Sequence, residues 1–325
     1  MPLDPQIIDP QIKGFLDMLE QAGAPSSFAG APEEMRSRME AAITGHWEPS
    51  TFAPVASVEE AVVGARSTGV QIVRPAVDGI DSTPTVVFFH PGGFLMGRAS
   101  LFLDVAQRMS NSLGAVVVSV DYRLAPEHPF PAAVQDAIDV LVWANENIGE
   151  LGGDPSRLAV AGESSGANLA TVAARHMRDR GVPIAAQLLA SPFTDMTREY
   201  PSVEENAVGL FFTRDDIRVV RSQYLSEPGD VESPDVSPAL ADLRGVAPAV
   251  IGVAGFDPLR DDGTAYAAAL LRADVPTQFR SYPALIHPFF GMPGLSPAAE
   301  RAGDELMQLF LAVINASASA TTLNP

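Results

Sequence analysis

The sequence predicts an α/β protein: a mostly parallel central sheet flanked by helices, with extra helical material before its first strands and in one insertion. Three observations carry this. The segments TVVFF (Thr85–Phe89), AVVVSV (Ala115–Val120) and LAVAG (Leu158–Gly162) are apolar almost throughout, as strands buried on both faces must be. They alternate with segments whose apolar residues recur at helical spacing. Apolar residues make up 46% of the 325-residue chain and charged residues 19%, a globular balance with ample material for a deep core.

The elements follow in order. Gln11–Gln21 and Pro32–Thr44 read as helices separated by Gly23-Ala24-Pro25, and Pro49 and Pro54 close that section. Val70–Arg74 is a short β-branched strand, and Thr85–His90 a second one. Ser100–Leu113 reads as a helix, Ala115–Tyr122 as a strand, Ala132–Ile148 as a helix, Leu158–Gly162 as a strand, Gly166–Arg180 as a helix and Ala185–Ala190 as a strand. The alternation breaks at Asp195. Thr197–Val231 is more charged and holds a helix, Arg214–Tyr224, after the apolar patch Leu210-Phe211-Phe212. It resumes with strand Ala249–Ala254, helix Thr264–Arg272, strand Gln278–Tyr282 and a final helix, Pro297–Ile314. The last ten residues are small and polar and are expected to fray. No internal repeat is visible.

Composition excludes several functions. Acids outnumber bases 40 to 21, a net charge of −19, which repels phosphate backbones and anionic membrane surfaces. Neither nucleic acid nor a membrane is expected as a partner. With no cysteine, a disulfide framework, a thiolate metal site and a cysteine nucleophile are all excluded. The N-terminal segment MPLDPQIIDPQIKGF lacks the basic start and apolar run of a secretory signal, and no apolar stretch is long enough to span a bilayer. The expected location is cytoplasmic.

The strongest local signal is Gly162-Glu163-Ser164-Ser165-Gly166, a G-x-S-x-G pattern after a strand and before a helix. A serine on so sharp a turn needs small neighbours two positions away. Gly162 and Gly166 meet that need for Ser164. With Ser165 as nucleophile, Glu163 and Ala167 would hold those positions, so that register is rejected. In an ordinary loop the same pattern would arise by chance; the strand-turn-helix setting is what favours chemistry.

A serine hydroxyl needs a base, and the base an orienting acid, and on a strand-serine-helix turn the chain order is serine, acid, histidine. Of the five histidines, His46, His90 and His128 precede Ser164, and His176 lies within the adjoining helix about three turns on. His287 is left, in a loop after a strand. Asp257 follows the strand Ala249–Ala254 and is the acid; Asp195, which also ends a strand, is the alternative. Asp261 and Asp262 read as charges complementing a helix N-terminus. The oxyanion donors are the amides of Gly92 and Gly93, in His90-Pro91-Gly92-Gly93-Phe94, joined by that of Ser165; Pro91 has no N–H to give. His90 reads as a brace for this loop. A phosphate loop is disfavoured, because no G-K-[ST] follows and no helix opens at the glycines.

The chain resembles the bacterial hormone-sensitive-lipase-like esterases, family IV of the α/β-hydrolase fold. The resemblance runs from about Pro84 to about Phe290 and rests on HPGGF (His90–Phe94), DYRLAPEHPFPAAVQDA (Asp121–Ala137), GESSGANLA (Gly162–Ala170), DPLRDDG (Asp257–Gly263) and His287. It implies the same triad and oxyanion amides, no metal or organic cofactor, and Arg123 and Glu127 as structural ion-pairing groups. Pro91, Ala167 and Pro288 stand where the family usually has glycine, and Ser165 where it has alanine. None of these removes a catalytic group.

The resemblance also implies a helical cap over the site. That divides the chain into N-terminal cap helices (1–53), a catalytic domain (54–195 and 232–325) and a cap insertion (196–231). Phe28, Met35, Leu210, Phe211 and Phe212, with Phe94 and Leu95 beneath, become candidate pocket residues; packing between cap and core is the competing role for each. The expected activity is hydrolysis of short-to-medium acyl esters, small-molecule substrates, with a homodimer as the assembly such relatives often form. Amide, carbamate or lactone hydrolysis, or acyl transfer to an alcohol, stays open on the same site. A non-catalytic binding relative is disfavoured, because nucleophile, acid and base are all present.

Overall fold

The computed structural model describes residues 8–46, 54–76 and 83–323. Two helices come first, α1 (Pro10–Gln21) and α2 (Pro32–His46). Asp9 caps α1 by accepting the Gln11 and Ile12 amides, and Pro10 sits at the first helical position, where a missing N–H costs nothing. Then come β1 (Ser57–Val63), β2 (Thr68–Arg74), β3 (Thr85–Phe89), α3 (Leu103–Leu113), β4 (Val116–Asp121) and α4 (Ala132–Glu146). They are followed by β5 (Leu158–Glu163), α5 (Ser165–Asp179), β6 (Gln187–Ala190), α6 (Pro201–Glu205) and α7 (Arg214–Tyr224). The chain ends with β7 (Ala249–Phe256), α8 (Arg260–Arg272), β8 (Thr277–Ile286) and α9 (Pro297–Leu323). Pro49 and the expected boundary at residue 53 lie outside the described residues.

The eight strands form one sheet in the order β1-β2-β4-β3-β5-β6-β7-β8. The β1–β2 and β2–β4 pairs are antiparallel and the rest parallel. Alternate side chains of the central strands enter two separate cores. Val87 and Phe89 pack on the face holding α4 and α5, while Val86 and Phe88 pack with Met109 of α3 and Phe310 of α9 on the other. Both faces are therefore dry, which is why these strands read as unbroken apolar runs.

Three elements differ from the sequence expectation. β1 (SVEEAVV) went unpredicted because it is an edge strand whose side chains are mostly exposed; its glutamates fit an edge, not a buried run. α8 starts at Arg260, four residues early, so Asp261 and Asp262 lie in its first turn. α9 runs to Leu323, past the expected end at Ile314; its Phe310 and Ile314 are wholly buried. The N-terminal and C-terminal ends of the parallel strands differ in use. Ser164 follows β5, Asp257 follows β7 and His287 follows β8, all at carboxyl ends, where open α/β sheets place ligands.

Candidate active site

The turn between β5 and α5 holds Ser164 at φ 57° and ψ −121°, a region that L residues avoid. Helix and sheet can meet this closely because both flanking glycines lack a Cβ. A Cβ on Gly166 would sit 2.0 Å from the Phe89 carbonyl oxygen, and one on Gly162 would sit 2.3 Å from Gly166 itself. Ser165 opens α5, so its amide has no partner within the helix and stands at the positive end of its dipole.

Asp257 is wholly buried. One carboxylate oxygen accepts the Leu259 amide at 2.7 Å, and the other lies 3.0 Å from His287 Nδ1. That contact makes Nδ1–H the donor and leaves Nε2 of His287 as the basic nitrogen. Burial works against an imidazolium here. The charge and hydrogen bond of Asp257, with the charges of Glu163 and Asp216, outweigh it and raise the pKa above the ordinary histidine value. The Phe212 ring stacks on the imidazole. The His287–Pro288 peptide is cis.

The glycine loop after β3 turns back on itself: the Leu95 and Met96 amides both donate to the Gly92 carbonyl. Gly92 has φ 131°, and a Cβ there would lie 2.0 Å from the Met96 carbonyl oxygen, so this turn requires glycine. His90 is the expected brace. Its ring lies between Tyr122 and Phe102, its Nδ1–H donates to the Pro91 carbonyl at 2.8 Å, and Tyr122 donates to the His90 carbonyl. Burial pushes its pKa down to about 4, so it stays neutral. Arg123 forks onto Asp136, and Arg36 forks onto Glu127; both expected ion pairs exist, and their partners were not legible in sequence.

A cavity of about 770 Å³ joins these parts. Ser164, His287, Pro91, Gly92 and Gly93 line it, together with the apolar Phe28, Leu210, Phe211 and Phe212. Phe94, Leu95 and Met35, expected in the pocket, do not line it. Phe94 is stacked on Tyr224 with centroids 3.8 Å apart, and Leu95 and Met35 are buried in the core. The loop after Gly93 turns inward, so its apolar residues fill the space between the loop and α7. Phe15, Leu16, Met39 and Ile43 line the cavity instead. Met35, Met39 and Ile43 are spaced at i, i+4 and i+8, so one stripe was visible, but which part of it met core and which met cavity was not.

The alternative acid is also placed. Asp195 accepts from Thr197, Arg198 and Tyr200 and holds its own turn. Asp262 does more than complement a dipole: its buried carboxylate accepts the Thr194 and Asp195 amides. Among the described residues no cluster of three or more His, Asp or Glu could hold a metal ion.

Fold and site together define the chain as an α/β hydrolase. The sequence profile described as the alpha/beta hydrolase fold matches residues 86–291, and the chain belongs to that family, in its hormone-sensitive-lipase-like branch. It is 39% identical over 307 residues to carboxylesterase NlhH of Mycobacterium tuberculosis, covering 91% of this chain and 92% of that one. Among solved structures it is similar to an ester hydrolase from the metagenome of Lake Arreo, complexed with a derivative of bipyridine phosphonate. The TM-score is 0.88 and the identity 32%, with 94% of this chain and 98% of that one covered. An esterase of Pyrobaculum calidifontis superposes with a TM-score of 0.86 at 33% identity, over 98% of this chain and 100% of that one. No helix among the described residues is long and apolar enough to cross a membrane.

Proposed function

We propose that the chain is a serine carboxylic ester hydrolase. The observation that carries this is Ser164, held on a strained turn in the lining of a cavity that His287 also lines, with His287 Nδ1 3.0 Å from the buried Asp257 carboxylate. The curated and solved relatives are esterases by name, which favours esters over amides.

Nε2 of His287 takes the Ser164 hydroxyl proton as Oγ attacks the ester carbonyl carbon. The carbonyl electron pair moves onto oxygen, and the amides of Gly92, Gly93 and Ser165 stabilise that oxyanion. Asp257 holds the imidazolium by charge and hydrogen bond. As the tetrahedral intermediate collapses, the C–O bond to the alcohol breaks and His287 returns its proton to the leaving oxygen. Water then attacks the acyl-enzyme, again deprotonated by His287, and the acid leaves with Ser164 restored. Of the segments 1–53 and 196–231, the described residues 8–46 and 196–231 act as the cap over this chemistry; Phe28, Leu210, Phe211 and Phe212 give the substrate pocket its apolar wall.

The test is hydrolysis of p-nitrophenyl acetate, butyrate, hexanoate and octanoate by the wild type and by Ser164→Ala. Turnover is expected on short and medium chains, with loss on the order of 10⁶-fold in the variant. Wild-type inactivity on all four esters overturns the reading, and faster cleavage of a matching amide moves the activity to an amidase.

A further inference from the structure

The residue before the nucleophile is a glutamate with no solvent. Glu163 is wholly buried, and no arginine or lysine pairs with it among the described residues. Burying a carboxylate is costly unless its oxygens are satisfied. Here each oxygen accepts one backbone amide: Oε1 from Phe290 at 2.8 Å and Oε2 from Gly291 at 2.7 Å. Those amides are three and four residues after His287. A Cβ on Gly291 would lie 2.6 Å from Oε2, so a side chain there would push the carboxylate away from this amide.

The carboxylate thus ties the turn that carries Ser164 to the loop that carries His287. It does so without touching either reacting side chain. We propose that Glu163 is a positioning residue, which fixes the His287 loop against the Ser164 turn through its bonds to the Phe290 and Gly291 amides. This rests on the triad reading above.

The charged groups that face this pair are few. His287 feels Asp257, Glu163 and Asp216, which lies in the first turn of α7. Glu163 feels His287 and Asp257, and burial pushes its own pKa up to about 7. His90, which borders the same loop, is neutral. Above its own pKa Glu163 is a carboxylate, which favours the positive His287 formed during attack; a neutral group does not. Two backbone amides also demand two acceptors. Glutamine offers one and sets its NH₂ against the other.

The experiment compares Glu163→Gln, Glu163→Asp and Ser164→Ala with the wild type by kcat and KM on p-nitrophenyl butyrate from pH 5 to 9. Thermal melting checks that each is folded. Glu163→Gln is expected to lower kcat about tenfold, and to move the acid limb of kcat/KM down by about half a unit, less than a full charge would give because Glu163 is itself partly protonated near pH 7. Glu163→Asp keeps the charge but shortens the reach, so its kcat falls while the limb stays. An acid limb at the wild-type pH in Glu163→Gln overturns the proposal, because a merely structural residue would leave it there. If Glu163→Gln does not fold, Glu163→Asp decides: a lowered kcat supports the proposal, and wild-type kcat overturns it. Ser164→Ala separates the two readings. Its retained activity sinks the triad, whereas a dead Ser164→Ala beside a wild-type-like Glu163→Gln sinks only this inference.

Discussion

The Phe212 ring lies over the His287 imidazole, with centroids 4.6 Å apart and planes inclined by 28°. Phe28 packs against Phe212 in turn, at 5.4 Å and 60°. The segment before α7 therefore packs on the imidazole as well as lining the cavity.

Removing the ring should free the imidazole to rotate and let water reach it. An aromatic stack contributes about 0.5–1.5 kcal/mol, so Phe212→Ala should lower kcat/KM roughly 2- to 10-fold, mainly through kcat. Steady-state kinetics on p-nitrophenyl butyrate checks this. A raised KM at unchanged kcat would assign Phe212 to the pocket wall alone.

Activity should fall in acid at a pH above the ordinary histidine value of about 6.5. The base must be neutral to take a proton, and its acidic surroundings, Asp257 above all, hold the His287 pKa up against burial. The sign for stability runs the other way. Protonated His287 favours the fold below the unfolded value, and that contribution is lost as pH rises through its folded pKa. A kcat/KM profile flat from pH 8 down to pH 5.5 would remove His287 as the base.

Helix α2 is held to the glycine loop by Arg36. Its Nε donates to the Leu95 carbonyl at 2.9 Å and one terminal nitrogen donates to the Ala125 carbonyl at 3.1 Å, while the fork grips Glu127. The Glu127 pair is largely exposed, so it adds little; the two carbonyl contacts contribute about 1 kcal/mol each. Arg36→Met should lower Tm by several degrees and kcat/KM severalfold, with Glu127→Gln milder in both. Equal effects from the two variants would place the weight on the ion pair instead.

Gly166→Ala should be far more disruptive than its one carbon suggests. The new Cβ meets the Phe89 carbonyl at 2.0 Å, and neither β3 nor α5 can move without opening a core. The overpacking cost is about 1–3 kcal/mol or more, read as a fall in Tm and in kcat. Gly149→Ala is the control, since nothing lies within 4 Å of its Cβ. Equal Tm values for the two variants would contradict the packing argument.

The fold class and the chain order of the candidate site were legible before any tertiary contact was known. Continuous apolar strands report burial on both faces, and a glycine pair around Ser164 reports a sharp turn; both are local signals. The serine-acid-histidine order then singled out His287, position after a strand put Asp257 ahead of Asp195, and the structure places His287 and Asp257 3.0 Å apart. Contacts between distant segments were not legible. Glu163 and Gly291 are 128 positions apart and Arg36 and Glu127 are 91 apart, and nothing in either neighbourhood names the partner. The same limit explains Phe94 and Leu95, which follow the glycine loop and yet fill the core. An apolar residue beside a site is equally content against a substrate or a neighbouring helix. Only tertiary packing, which turned that loop inward and brought Phe15, Met39 and Ile43 to the cavity, decided between them.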